Sequence, residues 1–260
     1  MSELLRLGTG LTGADGIAVN ADVVFSYPLH SHAYYEMLYY EPFDGEITVN
    51  ETAIRPTVPM AVLMTPVDLH RITVRDSGGA RFVKLAFTED CLGSYLAERL
   101  DGAIAVRDAD AHPILSSLFT RAAATENAEE AVILMRALVL TLLQTGKHLP
   151  SPPHPRTHRA IARAAAIIQE EYANDLTLVE LADRLSLSPQ HLSECFTQYM
   201  GVPFSAYLCE TRLRNAAAAL RSSDLTVTEI CYACGYRNLS HFLRSFKRRY
   251  GVTPKEYGKR

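Results

Sequence analysis

Two short stretches of this chain combine an apolar stripe with a polar face in a way that could read nucleic acid. Between residues 189 and 200, Leu192, Cys195, Phe196 and Tyr199 recur at helical spacing, which leaves Gln190, His191, Ser193, Glu194 and Gln198 turned elsewhere. A Gln side chain can pair with adenine and a Glu carboxylate can accept from the cytosine amino group, so this face has base-reading chemistry. Between residues 239 and 250 the apolar side is Phe242, Leu243 and Phe246. Asn238 is a helix cap there, and Leu239, Ser240, His241, Arg244, Lys247 and Arg248 stay available. Arg244 can donate two parallel hydrogen bonds to a guanine or a phosphate, while Lys247, Arg248 and Arg249 suit backbone phosphates. A basic run on one isolated helix would be no more than a solvated patch, so its meaning depends on the elements around it.

Those elements repeat. Thr177, with Glu180 three residues on, makes a capping box ahead of a short helix, then a short turn leads to Ser188 as cap and Pro189 at the first helical position. A second cap, helix, turn and helix follow over residues 222–251, and a shift of 50 aligns Leu192 with Phe242, Phe196 with Phe246 and Gly201 with Gly251. This is the pattern of two helix-turn-helix units joined by one long helix, FSAYLCETRLRNAAAALRSS. Charge agrees, because residues 158–260 hold 14 Lys and Arg against 10 Asp and Glu, whereas the preceding part holds 12 against 19. A positive module can attract a phosphate backbone even in a chain of net charge -3. Cys231 and Cys234 form a C-x-x-C, a spacing shared by redox and zinc motifs, but no second cysteine pair accompanies it and core packing is the competing explanation. The five cysteines are irregularly spaced and are expected as reduced thiols.

The first half reads differently. Short apolar runs between residues 17 and 87, punctuated by prolines at 28, 42, 56, 59 and 66, predict many short strands in an antiparallel barrel or sandwich. Thr88 is expected to cap a helix carrying Leu92, Leu96 and Leu100, then come a strand at 103–107 and helices over 113–124 and 128–146. The last presents Val132, Met135, Leu138, Val139, Leu142 and Leu143, a stripe that suits either its own sheet or a second copy of the chain. The segment 149–158, LPSPPHPRTH, reads as a semi-rigid spacer. The 260 residues therefore divide into 1–148, a spacer at 149–158, and 159–260. No apolar run is long enough to span a membrane and MSELLRLGTG lacks a signal pattern, so a cytoplasmic address is expected.

The C-terminal hundred residues resemble the DNA-binding domain of AraC/XylS transcription regulators. Gly235, Tyr236, Ser240, Phe242, Phe246, Lys247, Gly251, Thr253, Pro254 and Tyr257 carry that resemblance. It implies an all-α domain of seven helices, two of them entering successive major-groove segments of double-stranded DNA, with Arg212 contributing to the interface. Many members have a basic residue where this chain has Glu194. The N-terminal half resembles the cupin-like β-barrel sensor often found in this family, through HSHAYYEMLYYEPFDG and a later His. The match names His30, His32, Glu36 and His70, in the order of a cupin metal set that could bind Zn, Fe, Ni or Mn. The usual glycine before the first His is Val24 here, which leaves three uses open for these residues: an organic effector, a metal, or a structural cluster. Alternation puts His30 and His32 on one strand face, and Tyr27, Tyr34, Tyr35, Tyr39 and Tyr40 could stack on a sugar. The expected effector site is His30, His32, Glu36, Tyr27, Tyr39 and His70. The resemblance implies an activator, not an enzyme, with no resident cofactor. It would respond to a small organic effector such as a sugar, form a homodimer through residues 128–146 and work beside RNA polymerase. The rival is a metal-dependent cupin enzyme or metal sensor fused to a DNA-binding module.

Overall fold

The computed structural model describes residues 16–258 apart from residues 77, 110, 111, 151 and 153. The segment read for a missing signal, residues 1–15, lies outside them. The chain falls into two compact units whose boundary lies between Ala166 and Ile167.

The first unit holds two antiparallel sheets. One runs β1 (Ile17–Val24), β8 (Ala80–Phe87), β3 (Tyr35–Tyr40), β6 (Met60–Met64), β9 (Ile104–Arg107) and β10 (Lys147–His148); the other runs β2 (Tyr27–His30), β7 (His70–Val74), β4 (Gly45–Val49) and β5 (Thr52–Ile54). Among the described residues no pairing closes the two into the expected barrel. Pro28 lies in β2, an edge strand, where a missing ladder donor is tolerated. Side-chain parity then builds two cores. Leu38, Met60, Val62 and Met64 face Ile47, Val49, Ile54 and Ile72 of the other sheet. Met37, Ala61, Leu63, Leu85 and Phe87 point the opposite way, against helices. This is why β6 reads as an unbroken apolar run: it is buried on both faces.

Those helices are α1 (Glu89–Leu92), α2 (Ser94–Ala97), α3 (Pro113–Ala124) and α4 (Ala128–Thr145). The single helix expected after Thr88 is broken, because Gly93 adopts φ 74° and ψ 156° and separates two short pieces. On α4, Ala131, Leu134, Met135, Leu138, Val139 and Leu142 are buried in the sheet's own core, while Ile133 and Leu140 remain exposed. The segment expected as a spacer begins with ordered contacts: the Leu149 N–H donates to the Ala103 carbonyl at 2.9 Å, and α5 (Pro155–Glu171) starts inside it. Two of its residues, at 151 and 153, lie outside the described residues.

The second unit continues from the end of α5 through α6 (Leu178–Arg184), α7 (Pro189–Met200), α8 (Phe204–Ser222), α9 (Val227–Ala233), α10 (Leu239–Tyr250) and α11 (Pro254–Tyr257). Thr177, Thr226 and Thr253 each cap a helix reciprocally with Glu180, Glu229 and Glu256. Each of these boxes is worth about 1 kcal/mol. Gly201 and Gly251 end the two longer reading helices in the left-handed conformation.

His158, on the first turns of α5, is buried to 2% exposure within the first unit. Burial lowers its pKa below the ordinary 6.5, against the raising influence of Asp68, the Val67 backbone and Glu51. The folded chain thus holds this proton less tightly than the unfolded one. The stability it contributes is full above 6.5 and is lost as pH falls below that value. Thermal unfolding followed between about pH 8 and pH 5 should show a decline that His158→Gln makes shallower.

Candidate nucleic-acid interface and sensor cluster

The reading helices are fixed by what they bury. On α7, Leu192, Cys195, Phe196 and Met200 face inward. Met200 takes the place expected for Tyr199, which is half-buried. Phe196 meets Phe204 and Tyr207 edge to face. On α10 the inward residues are Phe242, Ser245 and Phe246, and Leu243, expected on the apolar side, is 37% exposed. Ser245 replaces it because the stripe follows residues 239, 242, 245 and 246, one face of a 3.6-residue period. Gln190, His191, Glu194 and Gln198 are exposed on α7 with Ser193 half-buried. Asn238, Ser240, His241, Arg244, Lys247 and Arg248 are exposed around α10 with Leu239 half-buried. Asn238 spends its side-chain oxygen on the His241 N–H at 3.0 Å, so it is a cap first. Arg249 is not available for phosphate, since its Nε donates to both oxygens of Glu210 at 2.8–2.9 Å.

The two helix-turn-helix units differ by one residue. The N–H of Leu187 donates to the Ala182 carbonyl and that of Tyr236 to the Cys231 carbonyl, so the first helices and turns align at a shift of 49. The caps Ser188 and Asn238 align at 50, which makes Arg237 the extra residue. Its guanidinium reaches Asp175, at the turn before α6. Arg212, expected at the DNA interface, is half-buried and bonded to the same turn. Its Nε donates to the Tyr172 carbonyl at 2.7 Å and an Nη to that of Asn174 at 2.9 Å. Burial lowers its pKa, with Tyr236 and Asp175 acting the other way. Both arginines therefore brace the turn after α5. Cys231 and Cys234 are fully buried thiols without a disulfide. Burial pushes the Cys234 pKa up to about 12, which suits packing and not redox chemistry. Cys231 fills the slot that Ala182 fills in the first repeat.

In the first unit, the residues that fold together are His30, His32, His70, Glu36 and Tyr27. His30 and His70 are register partners across β2 and β7, with ring centroids 4.1 Å apart. His32 lies past the end of β2, so strand alternation does not place it. It arrives through the following loop, stacked on Tyr34 at 4.2 Å. The ring of Tyr27 lies 4.4 Å from that of His30. Tyr39 is not brought there: it has the parity of Met37, and its ring packs on Phe119 on the helix-covered side of the sheet. One ligand nitrogen from each of the three histidines lies within 4.8 Å of the others. Glu36 Oε2 stands 3.4 Å from His32 Nε2 and 3.3 Å from His70 Nε2.

Sequence reasoning missed Lys84, whose Nζ lies 3.5 Å from Glu36 Oε1. It sits diagonally across the β3–β8 ladder from Glu36, on the inner face. The signal was a lysine inside the apolar run FVKLAF. Burial would raise the Glu36 pKa, but His32 and Lys84 outweigh it and hold the carboxyl well below the usual carboxylate range. The Nδ1 of His30 lies 2.9 Å from the Pro28 carbonyl and that of His70 3.2 Å from the Asp68 carbonyl. Carbonyls only accept, so Nδ1 of each ring is the donor in these contacts, while Nε2 of His70, like that of His32, faces the Glu36 carboxylate.

Residues 181–260 match the family of helix-turn-helix domains. This segment is a helix-turn-helix domain. Over 114 residues the chain is 37% identical to YtdP of Bacillus subtilis, an uncharacterized HTH-type transcriptional regulator, covering 40% of this chain and 15% of that one. The chain thus spans a small part of that relative's length. With YfiF of the same organism, another uncharacterized HTH-type transcriptional regulator, it is 25% identical over 244 residues, covering 87% of this chain and 77% of the relative. Crystallised ToxT from Vibrio cholerae shares the fold over 94% of this chain and 97% of its own, with a TM-score of 0.57 at 12% identity. The same protein with an unsaturated fatty acid bound aligns at a TM-score of 0.53 and 11% identity, covering 94% of this chain and 95% of that one.

Within the helix-turn-helix domain, Gly235 is the most constrained turn position. Its φ is +79°, and a Cβ there would meet the Ala173 carbonyl oxygen at 2.6 Å. Gly235→Ala should cost ~2 kcal/mol or more, read as a lowered denaturation midpoint. Ser186→Gly, at the matching left-handed position of the first repeat, should be neutral or stabilising.

Proposed function

We propose that this chain is a DNA-binding transcription regulator of the AraC/XylS kind, with a first unit that senses a small organic molecule. One observation carries the reading: two capped helices bury an apolar stripe and leave polar faces bare, and among the described residues Arg244, Lys247 and Arg248 have no ion-pair partner. Such a helix fits a major groove roughly 12 Å wide. The chain works as an activator beside RNA polymerase. It acts as a homodimer through the outward side of α4, where Ile133 and Leu140 are left after the rest of the apolar stripe is spent on the sheet. An effector shifts the population of DNA-competent arrangements by its difference in affinity between them.

The effector is organic. Three imidazoles and a carboxylate match a metal in donor type, but the Lys84 ammonium already neutralises Glu36. A divalent ion about 5 Å from an ammonium is repelled by on the order of 6 kcal/mol at an effective dielectric near 20. The clustered imidazole rings and the Tyr27 ring instead suit the hydroxyl groups and flat faces of a small organic molecule, as on a sugar. ToxT offers a fold-level precedent for a small organic ligand. The competing reading, a metal sensor, keeps the same three histidines as ligands.

Two experiments test these readings. The full chain is incubated with a randomised duplex pool and the retained DNA is sequenced. A two-part site with segments roughly 10 base pairs apart is expected. Arg244→Ala should relax one guanine position at a cost of about 1–3 kcal/mol, and Lys247→Ala should weaken all sequences alike. A pool that stays unselected overturns the regulator reading. In the second, metal content and Zn²⁺ titration should find no stoichiometric ion in the purified protein, and Lys84→Met should raise Zn²⁺ affinity at least roughly tenfold. Stoichiometric metal in the unmodified chain overturns the organic-effector reading.

A further inference from the structure

The two reading helices carry opposite charge. Over α10, Arg244, Lys247, Arg248 and Arg249 are all cationic, and among the described residues only Arg249 is taken up, by Glu210. Over α7 there is no Lys or Arg, and Glu194 is the sole acidic residue. A bare carboxylate on a surface that approaches phosphates is repelled, so it weakens binding to every sequence unless a base donor meets it. Glu194 is also oriented. Four residues before it on the same exposed face, Gln190 donates from Nε2 to Glu194 Oε1 at 3.0 Å. That bond occupies one carboxylate oxygen, restricts the side chain, and leaves Oε2 to accept from a base.

We infer that the readers divide their work: Lys247 and Arg248 on α10 supply the phosphate grip beside the base-reading Arg244, and Glu194 on α7 is the specificity-determining residue for a cytosine, with Gln190 as its positioning residue. In the major groove cytosine presents an amino donor, which a carboxylate can accept, whereas guanine presents two acceptors, which a carboxylate repels. Glu194 therefore selects by attraction to one base and by exclusion of another. His191 and Ser193 flank it and carry no fixed charge of the kind that would compete for phosphate.

The inference rests on the regulator reading, and the experiment keeps the two apart. The full chain and its Glu194→Gln, Gln190→Ala and Lys247→Ala variants are each selected on the randomised duplex pool. Binding to one selected and one scrambled duplex is then titrated at several salt concentrations. Wild type should enrich a cytosine at a position separate from the guanine that depends on Arg244. Glu194→Gln should lose that preference, roughly five- to one-hundred-fold in discrimination, while binding the scrambled duplex more tightly. Gln190→Ala should relax the same position in part, a change that loss of a merely structural contact would not confine to one base. Lys247→Ala should lower the salt slope by about one, while the uncharged exchange Gln190→Ala leaves it unchanged. An identical preference in wild type and Glu194→Gln, with DNA binding intact, overturns the inference and leaves the regulator reading standing. Absence of selective duplex binding by wild type overturns both.

Discussion

A helix that reads DNA has to be immobile on one side and empty on the other, and in this chain both conditions come from one burial event per helix. Phe196 on α7 and Phe242 with Phe246 on α10 have no exposed surface. Replacing any of them by alanine removes roughly 3–5 kcal/mol of packing, comparable to the margin that keeps a domain of this size folded. The rest of the domain arranges itself around these anchors. Tyr236 packs on Phe242, Tyr257 packs on Phe246, and Tyr207 packs on Phe196. Caps and left-handed glycines then set where each helix starts and stops. Because the aromatic side is full, most outward residues of the two helices are left out of the core, Asn238 as a cap and Arg249 as a partner of Glu210 excepted.

The sensor cluster obeys a different constraint. Glu36 is buried between two sheets, where an isolated carboxylate would be too costly. It is retained because Lys84 and two imidazole rings surround it. The donors come from four separate elements: β2 or the loop after it, β3, β7 and β8. Each of the rings at positions 30 and 70 is in turn oriented by a backbone carbonyl through Nδ1. On the reading proposed above, the Lys84 that lets Glu36 stay ionised also disfavours a dication.

The helical half was largely legible beforehand. The capping box at Thr177, the caps Ser188 and Asn238, Pro189 at the first helical position and the repeat itself lie where local spacing puts them, and the second cap, expected within residues 222–229, is Thr226. What was misread there involved neighbours far away in sequence. Arg212 is a brace because carbonyls of Tyr172 and Asn174, about 40 residues earlier, lie within its reach. Arg249 is held by Glu210, 39 residues before it. Leu243 looks apolar and is exposed, because hydrophobicity does not tell which edge of a wide stripe meets the next helix.

In the strand-rich half the sequence determined the strands and their parity, since alternation is a property of the extended backbone alone. Tertiary structure decided which strands pair, and with them that two sheets form without closing into a barrel. It also decided that His32 enters from a loop, that Tyr39 faces the helices and that Lys84 meets Glu36. The physical reason is the range of the hydrogen bonds. A helix closes its bonds four residues away, so a short window of sequence contains both partners. A sheet closes them across any separation, and here His30 finds His70 and Glu36 finds Lys84 only once the whole ladder is in register.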